Sequence, residues 1–207
     1  MSGLILPVCE MLHREAEKIL FPGAVTVDAT VGKGNDTVFL AKAVGETGKV
    51  YGFDIQQQAI DFTEQRLSAA GLLRRVELFC LGHQYMADVI HEDVDCVIFN
   101  LGYFPGGDHQ LTTTADSTLV AFQSALSLLK PNGVIFIALY WGHSEGETEK
   151  NQLLPLLKTL PAEEWCVSET TFPNRNRAPI LIEIERKKLR YRNGNKSFKT
   201  KNDSENC

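Results

Sequence analysis

Residues 25–37 (V-T-V-D-A-T-V-G-K-G-N-D-T) constrain this chain more than any other stretch, because they join a strand, a glycine turn and a helix start. The β-branched, apolar V-T-V run favours a buried strand. Gly32 and Gly34 supply a turn without Cβ atoms, and Asn35 and Asp36 can cap the helix that follows. Free backbone N–H groups converge at such a turn, so the stretch predicts a ligand cradle.

The spacing of these glycines narrows the choice of ligand. A dinucleotide-binding loop has G-x-G-x-x-G, and Thr37 stands where the third glycine would be. The phosphate loop G-x-x-x-x-G-K-[ST] is absent from the sequence. The pattern that remains, D-x-T-x-G-x-G from Asp28, resembles the first motif of class I S-adenosylmethionine (SAM)-dependent methyltransferases, with Thr30 replacing the first glycine. This resemblance implies SAM as the cofactor.

A second acidic residue, Asp54, ends the next predicted strand, residues 49–54 (K-V-Y-G-F-D). It follows the first strand by about 20 residues, the offset at which a carboxylate reaches a ribose diol. His83 follows the third predicted strand and is a candidate for the adenine end of SAM, with a core or surface histidine as the alternative. The predicted cofactor-binding residues are Asp28, Gly32, Gly34, Asn35, Asp36, Asp54, Gln56 and His83.

Length and composition suit one ordinary globular domain. The 207 residues are 43% hydrophobic and 23% charged, which is typical of a single α/β domain with one core. No signal pattern and no apolar run of about 20 residues is present, so we expect a cytoplasmic protein without membrane contact. Five scattered cysteines lack C-x-x-C, and the five histidines lack ligand spacing. This predicts reduced core thiols and no metal site.

Charge is unevenly distributed along the chain. Residues 186–207 hold eight Lys/Arg against two Asp/Glu, whereas the rest holds 13 basic and 24 acidic residues. We therefore predict a methyltransferase domain over residues 1–188 and a basic, disordered tail over residues 189–207. The tail is either a local contact for a polyanion or simply a solvated extension.

Alternating helix and strand patterns predict an α/β doubly wound sheet. The pattern gives helices over Leu4–Leu20 and over Gln57–Ala70, the latter with Ile60, Phe62 and Leu67 facing inward. A turn over residues 130–133 leads into a fifth strand, Val134–Tyr140, and two closely spaced strands end the domain as an antiparallel pair. Seven strands with one reversed near an edge is the class I SAM-dependent methyltransferase (Rossmann-like) form. The ligand should lie where strands one and four end.

That rule points to residues 99–108 (F-N-L-G-Y-F-P-G-G-D), which follow strand four. Asn100 stands where amino-group methyltransferases place an Asp or Asn, in N-P-P-Y-like motifs, and N-L-G-Y resembles a variant of them. The side-chain and backbone oxygens there accept hydrogen bonds from the target amine. A long surface loop is the alternative, although loops of this length usually have a function or are disordered.

Several strings taken together resemble one family over residues 4–186. They are D-A-T-x-G-x-G-x-D-T, G-F-D-I-Q, F-N-L-G-Y-x-P-G-G-D, T-T-x-x-S-T and Y-x-G-H. The family comprises bacterial-type tRNA methyltransferases that act on wobble 5-aminomethyl-2-thiouridine and were formerly described as rRNA methylases. Its members often carry Asn and His where this chain has Lys33 and Asn35. The resemblance implies N-methylation of the wobble aminomethyl group with SAM, and the tRNA anticodon stem-loop as partner.

The resemblance also suggests catalytic residues. Asn100 would hold the amine, and Tyr103 would stack on the uracil. His143, after strand five, would face the target as proton acceptor or phosphate contact. Arg175 and Arg177 are candidates for tRNA phosphates, with a solvated turn as the alternative. Asp108 and residues 112–114 could instead only fold the loop.

Other functions stay open on the sequence alone. One is a SAM-dependent methyltransferase for rRNA or a small amine. Another, from a different class, is a catalytically silent RNA-binding module on a methyltransferase scaffold, which would not bind SAM. The sequence also leaves a homodimer open.

Overall fold

The computed structural model describes residues 6–102 and 113–188, and strands alternate with helices along them. The strands are β1 Val25–Asp28, β2 Lys49–Asp54, β3 Val76–Cys80, β4 Val94–Leu101, β5 Leu129–Leu139, β6 Trp165–Thr170 and β7 Ile180–Arg186. The α-helices are α1 Val8–Ala16, α2 Asn35–Ala43, α3 Gln57–Ala69, α4 Met86–Val89, α5 Ala115–Leu128 and α6 Ser144–Leu157. Short 3₁₀ turns at Leu73–Arg75 and His83–Tyr85 precede β3 and α4.

One sheet contains all seven strands, in the order β3-β2-β1-β4-β5-β7-β6. The strands β1 to β5 run parallel to one another, and β7 is antiparallel to both of its neighbours, β5 and β6. The predicted α/β class, the seven strands and the antiparallel last pair are therefore confirmed. The strand order reverses between β1 and β4, which opens a crevice at their carboxyl ends.

Helices cover both faces of the sheet, since central parallel strands are buried on both sides. Alternate side chains of β4 show this division. Val97 and Phe99 pack into a core with α4, α5 and α6, whereas Cys96 and Ile98 pack into a second core with α1, α2 and α3. All four are at most 1% exposed. Burial on both faces fixes the level at which β4 ends, and with it the position of the residues that follow.

Two helices differ from the sequence prediction. The helix predicted over Leu4–Leu20 begins at Val8 and ends at Ala16. The inward placement of Phe62 is wrong, because its side chain is 45% exposed. Ile60 and Leu67 lie on the buried face as predicted. Two residues are about 200° around a helix, so Phe62 points away from the face that Ile60 occupies.

Strand five and the cysteines also need correction. The turn predicted over residues 130–133 lies within β5, as an irregularity between the pairs Val94↔Leu129 and Cys96↔Val134, with Asn132 at φ 66°. The strand therefore begins five residues before the predicted start. Of the described cysteines, Cys96 is buried, Cys9 is half-buried, and Cys80 and Cys166 are exposed. All four are free thiols, but the two exposed ones are not core residues.

No helix within residues 6–102 and 113–188 is long and apolar enough to cross a membrane. In the same residues no group of three or more His, Cys, Asp or Glu could hold a metal ion. Tyr103, Asp108 and Thr112, and the predicted tail over residues 189–207, lie outside the described residues, so the predictions made for them stay predictions.

Candidate active site

A cavity of about 790 Å³ opens at the carboxyl ends of β1, β2 and β4, where the sequence predicts the ligand. The segment after β1, the end of β2, the 3₁₀ turn after β3 and the end of β4 all contribute to its wall. Residues from α1, from the start of α5 and from the end of β5 complete it. The predicted site residues that line it are Gly32, Asn35, Asp36, Asp54, Gln56, His83 and Asn100.

The glycine turn after β1 has the backbone conformation that its sequence predicts. Gly32 and Gly34 have φ values of 51° and 70°, in the region that favours glycine. A Cβ on Gly34 would lie 2.6 Å from the Thr63 side chain, so α3 packs directly against the turn. Gly34 is itself the N-cap of α2 and no side chain caps this helix, so the predicted capping by Asn35 and Asp36 is wrong. Asn35 Oδ1 instead accepts a hydrogen bond from Arg66 Nη1.

Asp28 lies beneath the turn and does not line the cavity. The residue is completely buried. Its Oδ1 accepts the backbone N–H of Thr30 at 3.1 Å, and its Oδ2 accepts the Thr37 hydroxyl at 2.6 Å. Burial, and then the nearby Asp36 carboxylate, raise the pKa of Asp28 above its usual range. Asp28 therefore shapes the loop from below.

Asp54 stands at the end of β2 and faces the cavity. Its Oδ2 accepts the Gly32 backbone N–H at 2.8 Å, and its Oδ1 accepts the Gln56 backbone N–H at 2.9 Å. Burial raises the pKa of the Asp54 carboxyl, whereas these two N–H groups act to lower it. Each carboxylate oxygen has a second lone pair, so Asp54 can still accept hydrogen bonds from two neighbouring hydroxyls.

His83 is only 6% exposed, although it lines the cavity. Its Nδ1 lies 3.0 Å from the carbonyl oxygen of Ala29, to which a protonated Nδ1 donates. The ring packs edge-on against Phe99, with 5.8 Å between ring centroids. Burial lowers the pKa of His83 to about 4, so the imidazole is neutral near pH 7. A neutral ring that donates through Nδ1 leaves Nε2 as an acceptor.

Asn100 joins the end of β4 to the glycine turn. Its backbone N–H donates to the Thr30 hydroxyl at 2.7 Å, and its side-chain Nδ2 donates to Asp36 Oδ2. Thr30, which replaces the first glycine of the motif, therefore fixes the position of the Asn100 backbone at the end of β4. The sequence gives no signal for this contact, because the two residues are 70 positions apart.

Cys9, His13 and Tyr140 are among the cavity residues that the sequence reasoning missed. Cys9 Sγ lies 3.0 Å from the Tyr140 hydroxyl and 3.5 Å from Asn100 Oδ1. Burial raises the pKa of the Cys9 thiol and that of the Tyr140 phenol. Cys9 and His13 are four residues apart and share one face of α1. This i, i+4 spacing of Cys9 and His13 was the available signal.

His143, the remaining predicted catalytic residue in the described ranges, is not brought to the cavity wall. It precedes α6, and its Nδ1 accepts the Gly146 backbone N–H at 3.0 Å as the helix cap. Its assigned role stays a prediction.

Comparison with known proteins identifies the family. The family model described as "Putative rRNA methylase" matches residues 50–185. The chain belongs to this rRNA methylase family. A family relative is "tRNA (mnm(5)s(2)U34)-methyltransferase, chloroplastic" from Arabidopsis thaliana, 37% identical over 183 residues. The alignment covers 84% of this chain and 67% of the relative. The family resemblance read from the sequence is thereby confirmed.

Solved structures support the same assignment. A "putative rRNA-methylase" from Clostridium thermocellum is 40% identical, with a TM-score of 0.87 over 89% of this chain and 100% of the other. A "putative methyltransferase" from Streptococcus mutans, solved in complex with SAH, is 33% identical, with a TM-score of 0.81 over 88% and 99%. The class I SAM-dependent methyltransferase fold is therefore confirmed for this family member.

Proposed function

We propose that this chain transfers the methyl group of SAM to the amine of 5-aminomethyl-2-thiouridine at the tRNA wobble position. The product is 5-methylaminomethyl-2-thiouridine. The observation that carries the proposal is that Asp54 and Asn100 line one cavity, a ribose acceptor and an amine acceptor facing the same space. The Arabidopsis relative, named for this tRNA reaction, and the Streptococcus neighbour that holds SAH support the same substrate and cofactor.

The residues around the glycine turn fit SAM. The cavity of about 790 Å³ is large enough for a nucleoside with an amino-acid arm and a target base beside it. Asp54 would hold the ribose diol, the Gly32 backbone would lie against the methionine portion, and neutral His83 would accept a hydrogen bond from the adenine amino group. When bound there, SAM supplies an electrophilic methyl group on a positively charged sulfur.

The part of the cavity around Asn100 has to present the amine to SAM. The amine must reach the methyl group without its extra proton, because only a neutral nitrogen has a free lone pair. Asn100 Oδ1 and the carbonyl oxygens that follow would accept its N–H bonds and aim that lone pair. The enzyme's contribution is then approach, orientation and exclusion of water.

The tRNA backbone would run over a second groove, of about 550 Å³ and lined by Trp141 and residues 171–178. Trp141 directly follows Tyr140 of the cavity wall. Three cations surround the groove. Lys150 Nζ lies 3.5 Å from the Trp141 ring centroid, Arg177 donates to the Gly142 carbonyl, and Arg175 is exposed. These positive charges complement the negative charges of tRNA phosphates. Replacing Arg175 and Arg177 by Gln should flatten the salt dependence of tRNA binding, unlike Arg14→Gln with Arg74→Gln, which lie off the groove.

The proposal also covers the cellular compartment, two remaining site residues and the oligomeric state. The four described cysteines, two of them exposed, are free thiols and suit the reducing cytoplasm that the sequence predicts. Tyr103 keeps its assigned stacking on the uracil, and His143 keeps its assigned contact with the target. Sedimentation velocity of the purified protein decides between a monomer and the homodimer that the sequence leaves open.

Methyl transfer from labelled SAM tests the proposed function directly. Purified protein would be assayed on total tRNA, on rRNA and on small amines, each from cells that lack this gene. Label in tRNA, located at the wobble nucleoside by mass spectrometry, is the expected result. Label confined to rRNA or small amines would overturn the assignment in favour of the other methyltransferases considered. Calorimetry that detects no SAM binding would favour the silent RNA-binding module.

A further inference from the structure

The cavity-facing side of α1 carries His13, which is held on two sides. Its Nε2 lies 2.5 Å from Asp36 Oδ1. Its ring stacks on Phe39, with 4.0 Å between ring centroids and 7° between the planes. Both partners belong to α2, so α1 is joined to the helix that follows the glycine turn. His13 keeps contact with solvent, because its side chain is 26% exposed.

Asp36 connects this histidine to the proposed amine acceptor. Its Oδ1 contacts His13, and its Oδ2 accepts a hydrogen bond from Asn100 Nδ2. The residue is only 7% exposed. An ionised carboxylate accepts hydrogen bonds and donates none. An ionised Asp36 therefore accepts a hydrogen bond from the nitrogen of the Asn100 amide and not from its oxygen. The contact with His13 is a hydrogen bond only when Nε2 carries the proton.

The orientation of the Asn100 amide has a chemical consequence. With Nδ2 turned toward Asp36, Oδ1 lies on the opposite side, where Cys9 Sγ is 3.5 Å away. An amide turned over would place its oxygen against a carboxylate oxygen and its N–H bonds toward the substrate. Two sets of N–H donors would then face each other, and no hydrogen bond to the amine could form. Only the observed orientation offers an acceptor to the amine.

We propose that His13 and Asp36 are positioning residues that hold the Asn100 amide with its oxygen toward the substrate amine. This inference rests on the proposed function, since it needs an amine as the target. It moves Asp36 from the predicted cofactor-binding set to the substrate side. It also gives α1 a part in catalysis, with His13 acting through Asp36 and touching no reacting atom.

Two substitutions at His13 separate positioning from packing. His13→Leu keeps apolar bulk against Phe39 but removes the donor to Asp36, whereas His13→Gln keeps a side-chain N–H. The substrate is an anticodon stem-loop that carries 5-aminomethyl-2-thiouridine. We expect His13→Leu to lower kcat about 10-fold, the loss of one hydrogen bond to a charged group. His13→Gln should recover most of that loss, with the KM for the stem-loop and the Kd for SAM unchanged.

Asp36→Asn tests the second link. An asparagine there can donate or accept, so it no longer dictates the amide orientation of Asn100. We expect a fall in kcat on the order of 100-fold with the Kd for SAM retained, since a charged hydrogen-bond acceptor is lost. Arg14→Gln, an exposed change on α1 away from the cavity, is the control and should behave as wild type.

The outcomes distinguish this inference from the proposed function. A wild-type protein that methylates the stem-loop, with His13→Leu equally active, overturns the positioning role and leaves the function intact. Equal losses in His13→Gln and His13→Leu also overturn it, as does a Kd for SAM that weakens as much as kcat falls in Asp36→Asn. A wild-type protein that binds SAM but leaves the stem-loop unmethylated overturns the proposed function itself.

Discussion

The two halves of the cavity are built in different ways. The proposed cofactor side, defined by Gly32, Asp54, Gln56 and His83, is held by bonds that involve the backbone: N–H groups donate to Asp54, and His83 contacts a carbonyl. The proposed substrate side, defined by Cys9, His13, Asp36, Asn100 and Tyr140, is held by bonds between side chains, across up to 131 residues of sequence.

This difference predicts that the two sides respond separately to substitution. Backbone contacts survive most substitutions of their neighbours, so the cofactor side depends on a few glycines and one carboxylate. A network of side chains changes character when any one member is replaced. We therefore expect the cofactor side to tolerate changes on the substrate side, and the reverse. The following predictions test that independence.

The largest expected effect concerns the protonation of His83 on the cofactor side. Its pKa of about 4 in the folded protein lies below the 6.5 of the unfolded chain. The unfolded state therefore takes up the proton first, and stability falls as the pH drops from 6.5 to 4. The shift corresponds to about 3 kcal/mol over that window. Urea unfolding as a function of pH should show a shallower fall in His83→Gln.

His91→Gln is the matched control, because that histidine is exposed. It should retain the wild-type pH dependence. The same acid loss in the wild type and in His83→Gln would contradict the buried, neutral state of His83, and with it the proposed acceptor for the adenine.

A change at Asn100 tests the substrate side. Asn100→Ala should lower kcat on the order of 100-fold, because the amine loses an acceptor as positive charge develops on its nitrogen, about 3 kcal/mol in the barrier. SAM affinity, measured by calorimetry, should stay at the wild-type value. Asn151→Ala, on the exposed surface of α6, is the control. A parallel loss of SAM affinity would show that the two sides are one unit.

The converse change is Asp54→Ala on the cofactor side. It removes the acceptor of the Gly32 and Gln56 N–H groups as well as the proposed acceptor of the ribose. We expect SAM binding to weaken by about 2 kcal/mol, within the range for hydrogen bonds to a charged group. At saturating SAM, kcat should fall much less. Asp61→Ala, an exposed carboxylate on α3, should bind SAM as the wild type does.

The sequence predicted more of the cavity wall on the proposed cofactor side than on the proposed substrate side, and the reason is physical. Gly32 and Asp54 each follow a strand and act through local backbone geometry, so spacing alone locates them. Asn100 was found because it too ends a strand. His13 meets the site only after α1 packs against the sheet; its i, i+4 spacing with Cys9 shows a shared helix face but not what that face packs against. Tyr140 directly follows β5, so the same rule of strand ends could have found it. Asp28 matched its motif but acts from beneath the loop.

Fold prediction followed the same division. The seven strands and the antiparallel pairing of the last two follow from hydrophobic runs and connection lengths, and the structure confirmed them. Strand boundaries that depend on tertiary contacts could not be predicted from the sequence. The start of β5 lies at Leu129 because residues 130–133 stay beside β4, where Lys130 contacts Asp95 at 2.8 Å. The turn residues in the sequence gave the opposite indication.

The smallest expected effect compares two glycines that share a backbone conformation. Gly34 in the turn and Gly71 after α3 have φ values of 70° and 68°. A Cβ on Gly71 would meet nothing within 4 Å, whereas one on Gly34 would lie 2.6 Å from Thr63. Gly71→Ala should therefore cost only the strain of a positive φ, about 1 kcal/mol of unfolding free energy. Gly34→Ala should cost about 1 kcal/mol more, because buried Thr63 has to move.

Urea unfolding of both variants measures this difference, and SAM calorimetry shows where it acts. Thr63 Oγ1 donates to the Gly32 carbonyl at 3.2 Å, so a displaced Thr63 loosens the turn that lines the cavity. We expect weaker SAM binding in Gly34→Ala alone, and wild-type kcat at saturating SAM in both variants. Equal stability losses would mean that α3 does not hold the turn in place. A fall in kcat at saturating SAM in Gly34→Ala would mean that the turn and Asn100 move together, through the Thr30 hydroxyl that joins them.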